Sequence, residues 1–424
     1  MSDTTPTDPY AGNILTLGLG PIRSRGEVMK SLTELPKRPK SMDGIPPHIA
    51  IHHLMSLRDF HLPNVEECRL HETIDLMVRQ NYRYLDPTAA TTWSTISGDH
   101  AVPNLRRAPA YGAAVVGHSG TGKTEAILRC LRSYPQQVIH HDSFPRLVGG
   151  HQQVVWLSVN VPPSGRTVDL ATDLMREWDR VTGANRFAAD LAKERRGGMK
   201  MLDSWRQVAT AHFLGVLHLD EVQNLFKLAT LKKRRSQRGL EDDAPELSIV
   251  EDQFLKWILI LMNTWQVPLL LSGTPDGIAA LTRRLSTTER IVTSGYHAFH
   301  HFDDATDSRF RTNFLEQLGK YQYVQKKQLP IDDELAQLII ELTGGIQRLI
   351  IALWIAAQRI ALERNKGDLL LTDFKKAAAT FLAPVAPAVA AFRSKDPGRM
   401  SKYEDLIPRD DAFWSQFWNS VSRP

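Results

Sequence analysis

The string GHSGTGKT, residues 117–124, constrains this chain more than any other part of its sequence. It follows the apolar run GAAVVG (112–117) and precedes TEAILRCLRSY, which has the periodicity of a helix. The string satisfies the pattern G-x-x-x-x-G-K-[S/T], in which backbone N–H groups and a helix N-terminus surround a polyphosphate. A chance match in a chain of this length is expected on the order of 1% of the time. The sequence therefore predicts a buried strand, a phosphate-binding loop and a helix.

The phosphate-binding pattern predicts a role for each residue of the string. Lys123 is expected to reach the β- and γ-phosphates, and Thr124 to bind Mg²⁺ through its hydroxyl. The remaining nucleotide contacts are predicted for the residues of the loop and the first helical turn, namely Gly117, His118, Ser119, Gly120, Thr121, Gly122 and Glu125. The pattern thus implies a nucleoside triphosphate and Mg²⁺ as the bound groups.

A pair of acidic residues ends the apolar run FLGVLHLDE (213–221). Asp220 is predicted to hold the Mg²⁺, and Glu221 to polarise a water molecule for attack on the γ-phosphate. The adjacent carboxylates favour ATP hydrolysis over phosphoryl transfer to a small molecule, for which a separate acceptor pocket is expected. An acidic turn after a strand, without a catalytic role, is the alternative interpretation.

Four short apolar runs alternate with helical segments and indicate the fold class. The runs are 112–117, 153–161, 213–221 and 267–273. Continuous apolar runs bounded by turns are typical of parallel strands that are buried on both faces and connected by helices. The chain is predicted to be α/β, with a parallel sheet covered by helices on both faces, a small all-helical lid and an N-terminal helical extension.

The same patterns divide the chain into segments. Residues 1–48 are rich in Pro, Ser, Thr and Gly and are expected to form a flexible arm, followed by a helical extension over 49–104. The nucleotide-binding core is predicted at 105–328, the helical lid at 329–385 and a flexible C-terminal tail at 386–424.

The composition excludes several classes of protein. Hydrophobic residues make up 42% of the 424 residues, and no apolar stretch reaches the roughly 18 to 20 residues that cross a bilayer. The N-terminal sequence lacks the basic and then apolar profile of a secretory signal. The two cysteines are too few for a disulfide framework or a structural zinc site. We therefore expect a cytoplasmic protein without a membrane partner.

Two further positions are candidates for contact with the γ-phosphate. The strand end LLLSGTPDG (269–277) offers the hydroxyl of Thr274 or, as a less favoured choice, that of Ser272. The helix that follows TGGIQ carries Arg348 in its first turn. An ordinary loop and a surface arginine are the respective alternatives.

The order of these motifs resembles that of the AAA+ P-loop ATPases, and finer detail resembles the TnsC/TniB family of transposon target-selection ATPases. The resemblance extends over about residues 105–350 and rests on the strings GHSGTGKTEAI, QVIHHDSF, QQVVWLSVNVPPSGRTVDL, GVLHLDEVQNL and PLLLSGTPDGIAALTRR. It implies an ATP-dependent regulator of DNA transposition that forms a ring or filament on target DNA. Such a protein links a target-selector protein to the transposase and hydrolyses ATP slowly until a partner stimulates it.

The resemblance also implies roles for basic residues. ATP lies between subunits in such assemblies, so a neighbouring subunit supplies an arginine, for which Arg284 is favoured over Arg283 and Arg290. Two segments are expected to contact double-stranded DNA in the channel of the ring: Arg166 with Thr167, and the basic run Lys232, Lys233, Arg234 and Arg235. Since the sequence shows no base-reading motif, DNA binding is expected to be largely independent of base sequence.

Two alternatives of different class stay open. A helicase loader or an initiator-type AAA+ ATPase would share the phosphate-binding loop, the acidic pair and the basic segments. A nucleotide-switched scaffold that does not hydrolyse ATP would have no use for Glu221, so replacing this residue by Gln would change nothing in it.

Overall fold

A computed structural model of the 424-residue chain describes residues 8–97, 111–193, 197–225, 249–275, 277–278, 290–326 and 328–394. As far as they are described, the residues form two compact units. The first unit comprises Met1–Val28, Val65–Val116 and Thr124–Ala298, and the second comprises Met29–Asn64, Gly117–Lys123 and Phe299–Pro424. The chain therefore passes from one unit to the other within the phosphate-binding string itself.

The N-terminal segment contains regular structure where the sequence predicts a flexible arm. Helices α1 (Ile14–Leu17) and α2 (Arg25–Leu32) precede α3 (Pro47–Met55). Leu15, Leu19, Val28 and Leu32 are all buried. Asn13 caps α1 by accepting a hydrogen bond from the Leu15 N–H at 2.9 Å, and its side chain donates to the Tyr82 carbonyl at 2.7 Å. The part of the arm up to Val28 is thus attached to the first unit by burial and by capping, whereas residues from Met29 onward belong to the second unit.

The sheets contain seven described strands. These are β1 (Gly112–Gly117), β2 (Val138–His141), β3 (His151–Val154), β4 (Trp156–Asn160), β5 (Val216–Asp220), β6 (Leu269–Gly273) and β7 (Gly295–Phe299). Strands β2 and β3 form an antiparallel pair, and the other five form one sheet in the order β4–β5–β6–β1–β7. Strand β6 is parallel to both β1 and β5, and β5 is parallel to β4. Strand β6 therefore separates the strand before the phosphate-binding loop from the strand that ends at Asp220.

Helices cover both faces of this sheet, which confirms the predicted fold class. The described helices between residues 65 and 263 are α4 (Val65–Tyr84), α5 (Ala90–Ser97), α6 (Lys123–Arg132), α7 (Thr167–Thr182), α8 (Ala188–Ala192), α9 (Gly198–Ala211) and α10 (Ile249–Asn263). Helix α7 ends at Gly183, which adopts a left-handed conformation with φ of +67°.

The two faces of the central strands differ in polarity. Leucines on one face pack with α7, α9 and α10 in a single apolar core, namely Leu157, Leu217, Leu219, Leu269 and Leu271. Because side chains alternate along a strand, the residues between them point to the other face. That face carries the polar residues Ser158, His218, Asp220 and Ser272. A line of polar side chains thus crosses three neighbouring strands.

The second unit is helical. Beyond α3 its helices are α11 (Ser308–Phe310), α12 (Glu316–Gly319), α13 (Asp333–Thr343), α14 (Gln347–Arg364), α15 (Leu371–Thr380) and α16 (Ala386–Arg393), with a π-helical turn at Arg311–Leu315. Val389 and Phe392 of α16 are buried, so the helical structure continues past residue 385, where the sequence predicts a tail. None of the described helices alone is long and apolar enough to cross a membrane; the pair α13 and α14 passes that test together but is bent by 114°.

Candidate active site

The phosphate-binding loop of the second unit depends on glycine. Gly120 and Gly122 have φ values of +85° and +90°, in the left-handed region that favours glycine. A Cβ added at Gly120 would lie 2.7 Å from the Ile346 side chain, and one at Gly117 would lie 2.6 Å from Thr121 Oγ1. Thr121 in turn donates from its hydroxyl to the His118 carbonyl at 2.9 Å, which closes the turn. Gly117 and Gly120 therefore have no room for a larger side chain. Without side chains at these positions, the backbone N–H groups of the loop can approach a phosphate closely.

The first turn of α14 lies against this loop. The Arg348 N–H donates to the Gly120 carbonyl at 3.4 Å, and Gln347 Oε1 lies 3.1 Å from where a Cβ on Gly122 would stand. The Arg348 side chain is exposed, whereas Lys123 is 6% exposed. The structure therefore places the backbone of Arg348 at the loop, and the predicted contact of its side chain with the γ-phosphate stays a prediction.

An aromatic cluster lies beside the loop and was not identified by sequence reasoning. The His118 ring contacts Phe392 of α16 edge to face, with ring centroids 5.1 Å apart, and His301 lies 5.7 Å from the same phenyl ring. His301 also contacts the Asp303 carboxylate at 2.9 Å. No spacing in the sequence indicates this cluster, because His118 lies far from His301 and Phe392 along the chain.

In the first unit, Asp220 is the centre of a hydrogen-bond network. Its Oδ2 accepts from the Thr124 hydroxyl at 2.7 Å, and its Oδ1 accepts from the Ser272 hydroxyl at 2.5 Å and from the Glu221 N–H at 2.9 Å. Desolvation by burial would raise the pKa of Asp220, but the nearby His218 and these hydrogen bonds outweigh it and lower the pKa. Asp220 is therefore ionised at neutral pH.

Thr124 and Asp220 form a pair of oxygen ligands that fits Mg²⁺. A hydroxyl and a carboxylate are hard oxygen ligands, and Mg²⁺ commonly takes one or two protein ligands and completes its shell with water and phosphate. In the part of the chain that the structure describes, no group of three or more His, Cys, Asp and Glu side chains is arranged to hold a metal ion. The Thr124–Asp220 pair thus fits an ion that arrives with a nucleotide.

Glu221 is held by a residue that sequence reasoning did not identify. Its backbone adopts φ of +57°, a strained value for a residue other than glycine, and its carboxylate accepts a hydrogen bond from Gln223 Nε2. Gln223 Oε1 accepts from the Thr274 N–H at 3.2 Å. Gly277 packs against Gln223 so closely that a Cβ there would lie 2.7 Å from Gln223 Cβ. Gln223 therefore joins Glu221 to the end of β6.

The two hydroxyls at the end of β6 have different partners. Ser272, the less favoured candidate in the sequence, donates to Asp220. Thr274 is 5% exposed, and its hydroxyl oxygen accepts from the Gly277 N–H at 3.4 Å. Ser272 is thus the hydroxyl that the structure brings to the acidic pair, because strand alternation puts it on the same face of the sheet as Asp220.

Arg166 and Thr167 lie where two helices begin. Arg166 is the N-cap residue of α7; its side chain is 70% exposed and pairs with Asp169 at 2.9 Å. A Cβ added at Gly198, the first residue of α9, would lie 2.5 Å from Thr167 Oγ1. The N-termini of α7 and α9 are therefore side by side, and both direct backbone N–H groups and partial positive charge outward.

The contacts of the remaining predicted site residues do not bear on their predicted roles. Glu125 pairs with Arg129 at 2.7 Å, one turn along α6. Arg290 is exposed, and its backbone carbonyl accepts from the Thr293 hydroxyl at 3.1 Å. Six predicted residues lie outside the described part of the chain, namely Arg283, Arg284, Lys232, Lys233, Arg234 and Arg235.

The geometry agrees with a comparison with protein families, in which residues 107–281 match the family described as "AAA domain". The chain has the AAA+ P-loop fold. Residues 117–124 have the sequence pattern called Walker A, and the acidic pair Asp220–Glu221 stands at the end of β5, as in the pattern called Walker B; the nucleotide contacts predicted for these residues stay predictions.

Two solved structures are similar to this chain at low identity. One is a structure of Drosophila ORC bound to DNA, with 13% identity, a TM-score of 0.40, and coverage of 93% of this chain and 88% of that chain. The other is the Aeropyrum pernix ORC2 protein in ADPNP–ADP complexes, with 12% identity, a TM-score of 0.40, and coverage of 83% and 85%. A comparison with curated proteins found no match.

Proposed function

We propose that this chain is an AAA+ ATPase that binds ATP with Mg²⁺ and hydrolyses it. The observation that carries the proposal is the buried, ionised Asp220, which accepts the Thr124 hydroxyl at 2.7 Å and is followed directly by Glu221. The hydroxyl comes from the phosphate-binding motif, and the two carboxylates come from the strand end. ATP hydrolysis requires all three of these groups close together.

Each group has a defined part in hydrolysis. Bound Mg²⁺ supplies positive charge that offsets the charge developing on the phosphates. Thr124 and Asp220 would hold the ion, and the ammonium of Lys123 would neutralise the β- and γ-phosphates. Glu221 would orient a water molecule and accept its proton, with its carboxylate held by Gln223. The strained backbone of Glu221 supports this role, because such strain often occurs at functional sites.

The same proposal includes assembly on double-stranded DNA under the control of the nucleotide. Paired helix N-termini at Thr167 and Gly198, with the exposed Arg166 between strand and helix, suit a phosphate backbone and read no base sequence. The sequence of the basic run 232–235 indicates further positive charge for contact with DNA phosphates. A neighbouring subunit would complete the ATP site with Arg284, Arg283 or Arg290, which gives the chain a reason to oligomerise.

The finer role that we propose is regulation of DNA transposition, in which the assembly links a target-selector protein to the transposase. It rests on the sequence strings that resemble the TnsC/TniB family. The AAA domain match and the sheet order are common to that family and to initiator-type ATPases, so they support an initiator or loader role as much as the transposition role. The transposition role has no support from the comparisons.

Replacement of Glu221 by Gln tests the catalytic part of the proposal. We expect the wild-type protein to release phosphate from ATP in the presence of Mg²⁺, and Glu221→Gln to bind ATP normally while releasing phosphate at least about 100-fold more slowly. Glu177→Gln, which removes a half-buried carboxylate that pairs with Arg180 on α7, is the matched control and should retain the wild-type rate. An unchanged rate in Glu221→Gln would favour the scaffold that does not hydrolyse ATP.

The DNA part of the proposal has its own test. Rings or filaments on duplex DNA should form with a non-hydrolysable ATP analogue and not with ADP, as seen by negative-stain microscopy. Arg166→Ala should weaken DNA binding and reduce the slope of log affinity against log salt by about 1. Arg180→Ala removes an exposed arginine near the other end of α7 and should leave both quantities unchanged. Equal effects of the two variants would contradict a contact at Arg166.

A further inference from the structure

His218 occupies an unusual position in the centre of the sheet. It lies on β5, two residues before Asp220, and is fully buried. Its Nδ1 is 2.8 Å from the hydroxyl oxygen of Ser158, the residue paired with it on β4. Its Nε2 is 2.7 Å from the hydroxyl oxygen of Ser272 on β6. Both ring nitrogens therefore have partners on the two flanking strands.

The direction of these hydrogen bonds follows from counting hydrogens. The Ser272 hydroxyl has a single hydrogen, and Asp220, being ionised, can only accept. That hydrogen therefore belongs to the bond from Ser272 Oγ to Asp220 Oδ1. The contact between Ser272 Oγ and His218 Nε2 then requires a hydrogen on Nε2, whatever the charge of the ring. Ser272 accepts from His218 and donates to Asp220.

The other end of the chain of hydrogen bonds follows in the same way. A neutral imidazole ring carries hydrogen on only one of its two nitrogens. With that hydrogen on Nε2, Nδ1 accepts from the Ser158 hydroxyl. Hydrogen bonds thus run in one direction, from Ser158 to His218, then to Ser272 and finally to Asp220. Every polar side-chain atom of His218 and Ser272 is satisfied, as burial requires.

The two oxygens of Asp220 are in different situations as a result. Oδ1 accepts from both Ser272 and the Glu221 N–H, which occupies its two lone pairs. Oδ2 accepts from Thr124 alone among the contacts that the structure gives it, so one of its lone pairs is available to a cation. The rotation of the carboxylate decides which oxygen faces Thr124, and that rotation depends on Ser272 acting as a donor.

We infer that His218 is a positioning residue, which commits the Ser272 hydroxyl hydrogen to Asp220 Oδ1 and so keeps Oδ2 directed to Thr124 and to the Mg²⁺ that binds there. The inference rests on the proposed function for the identity of the ion. Without the Nε2–H, Ser272 could turn its hydrogen away and accept elsewhere, and the carboxylate would lose one of the donors that fix it. Strands β5 and β6 would then no longer jointly determine the orientation of one metal ligand.

Four variants of the full-length protein test this inference through the Mg²⁺ concentration that gives half-maximal binding of a fluorescent ATP analogue. His218→Leu and Ser272→Ala remove the donor to Ser272 and the donor to Asp220, and both should raise that concentration about tenfold. His218→Gln can still donate an amide N–H to Ser272 and should remain within about threefold of the wild type. Ser158→Ala removes a hydroxyl from the far end of the same network and is the matched control, with less than a threefold change.

Two further measurements separate positioning from loss of folding. Binding of the analogue in EDTA, where no Mg²⁺ is present, should be equal in all five proteins, and thermal unfolding should show that each is folded. In ¹⁵N-histidine NMR of the wild-type protein, the His218 signals, identified by their absence in His218→Gln, should show hydrogen on Nε2.

Distinct results would overturn the inference. One is a folded His218→Leu with an unchanged Mg²⁺ requirement; another is an equal loss of binding in EDTA; a third is a neutral His218 ring with its hydrogen on Nδ1. A wild-type protein that binds no nucleotide would instead overturn the proposed function, and the NMR result would then decide the arrangement of His218 by itself.

Discussion

The two parts of the phosphate-binding motif are held in place by different means. In the loop, residues 117–123, backbone geometry dominates: Gly120 and Gly122 have positive φ, and neighbouring atoms leave no room for a Cβ. At the acidic part, Thr124 and Asp220 are held by directional side-chain hydrogen bonds. The loop is therefore sensitive to added volume, and the acidic part is sensitive to the loss of a single donor or charge.

The difference also concerns solvation. Backbone N–H groups in the loop are neutral dipoles, and they can stay close to a ligand without a buried charge. Asp220 is a charge that is 2% exposed, so it needs its donors to remain ionised. A substitution in the loop should thus weaken nucleotide binding with and without Mg²⁺, whereas a substitution in the acidic part should weaken only the binding that depends on Mg²⁺.

The largest effect is expected from Asp220→Asn, which breaks only the acidic part. The variant keeps the shape of the side chain but lacks the charge that holds Mg²⁺, so ATP hydrolysis should fall about 100-fold, equivalent to about 3 kcal/mol of barrier. Nucleotide binding in EDTA should stay within about threefold of the wild type, because the loop is intact. Equal losses with and without Mg²⁺ would show that the two parts are not independent.

Gly120→Ala should break the loop and have the next largest effect. A Cβ would lie 2.7 Å from Ile346 at φ of +85°, so we expect a loss of about 2 kcal/mol of unfolding free energy and at least about tenfold weaker nucleotide binding, with or without Mg²⁺. Gly149→Ala is the control, since Gly149 has φ of +91° and no atom lies within 4 Å of its Cβ position. Chemical denaturation and titration with the fluorescent analogue measure the two quantities. Normal binding by Gly120→Ala would contradict the close fit of the loop.

Thr124→Ser should have a small effect, which separates the role of the hydroxyl from that of the methyl group. Serine keeps the hydroxyl that donates to Asp220 Oδ2 and loses only a methyl group, so the Mg²⁺ requirement should change less than about threefold. Thr124→Val keeps the shape without the hydroxyl and should raise the Mg²⁺ requirement about tenfold. The half-saturating Mg²⁺ concentration distinguishes the two variants. Similar values for both would contradict a role of the Thr124 hydroxyl in Mg²⁺ binding.

The smallest effect is expected from mild acid. Because the pKa of Asp220 is lowered in the folded protein, its contribution to stability is fully present above its unfolded pKa and is lost only as the pH falls through the lower folded value. From pH 7.5 to about 5.5, the carboxylate should stay ionised and the Mg²⁺ requirement should change less than about twofold. A steep rise in the required Mg²⁺ over this range would mean that the donors to Asp220 are weaker than the distances indicate.

Much of the candidate site was predictable from the sequence because its parts are local. The Gly-rich string, Lys123 and Thr124 are contiguous, and the acidic pair follows its apolar run directly. Periodicity also predicted the parallel strands, since a strand buried on both faces needs a continuous apolar run. Strand β2 was less visible, because a half-exposed strand that ends in His140 and His141 has a weak apolar signal.

Other parts of the site depend on contacts between distant segments. Ser272 and Thr274 are both hydroxyl residues near a strand end, and only the parallel pairing of β6 with β5 brings Ser272 to Asp220. The contact of Thr274 with the γ-phosphate stays a prediction. Gln223 likewise follows the acidic pair without a pattern of its own, and its role appears only through its contacts with Glu221 and Thr274.

The sequence by itself determined the phosphate-binding chemistry of this protein and its fold class, because glycines, charges and apolar periods act over a few neighbouring residues. The tertiary structure alone decided which side chains orient Asp220. His218 stands in an apolar run where nothing marks it as functional, and its partners Ser158 and Ser272 are 60 and 54 residues away. Hydrogen bonds act over about 3 Å and in fixed directions, so only the paired strands could bring these three side chains into one line.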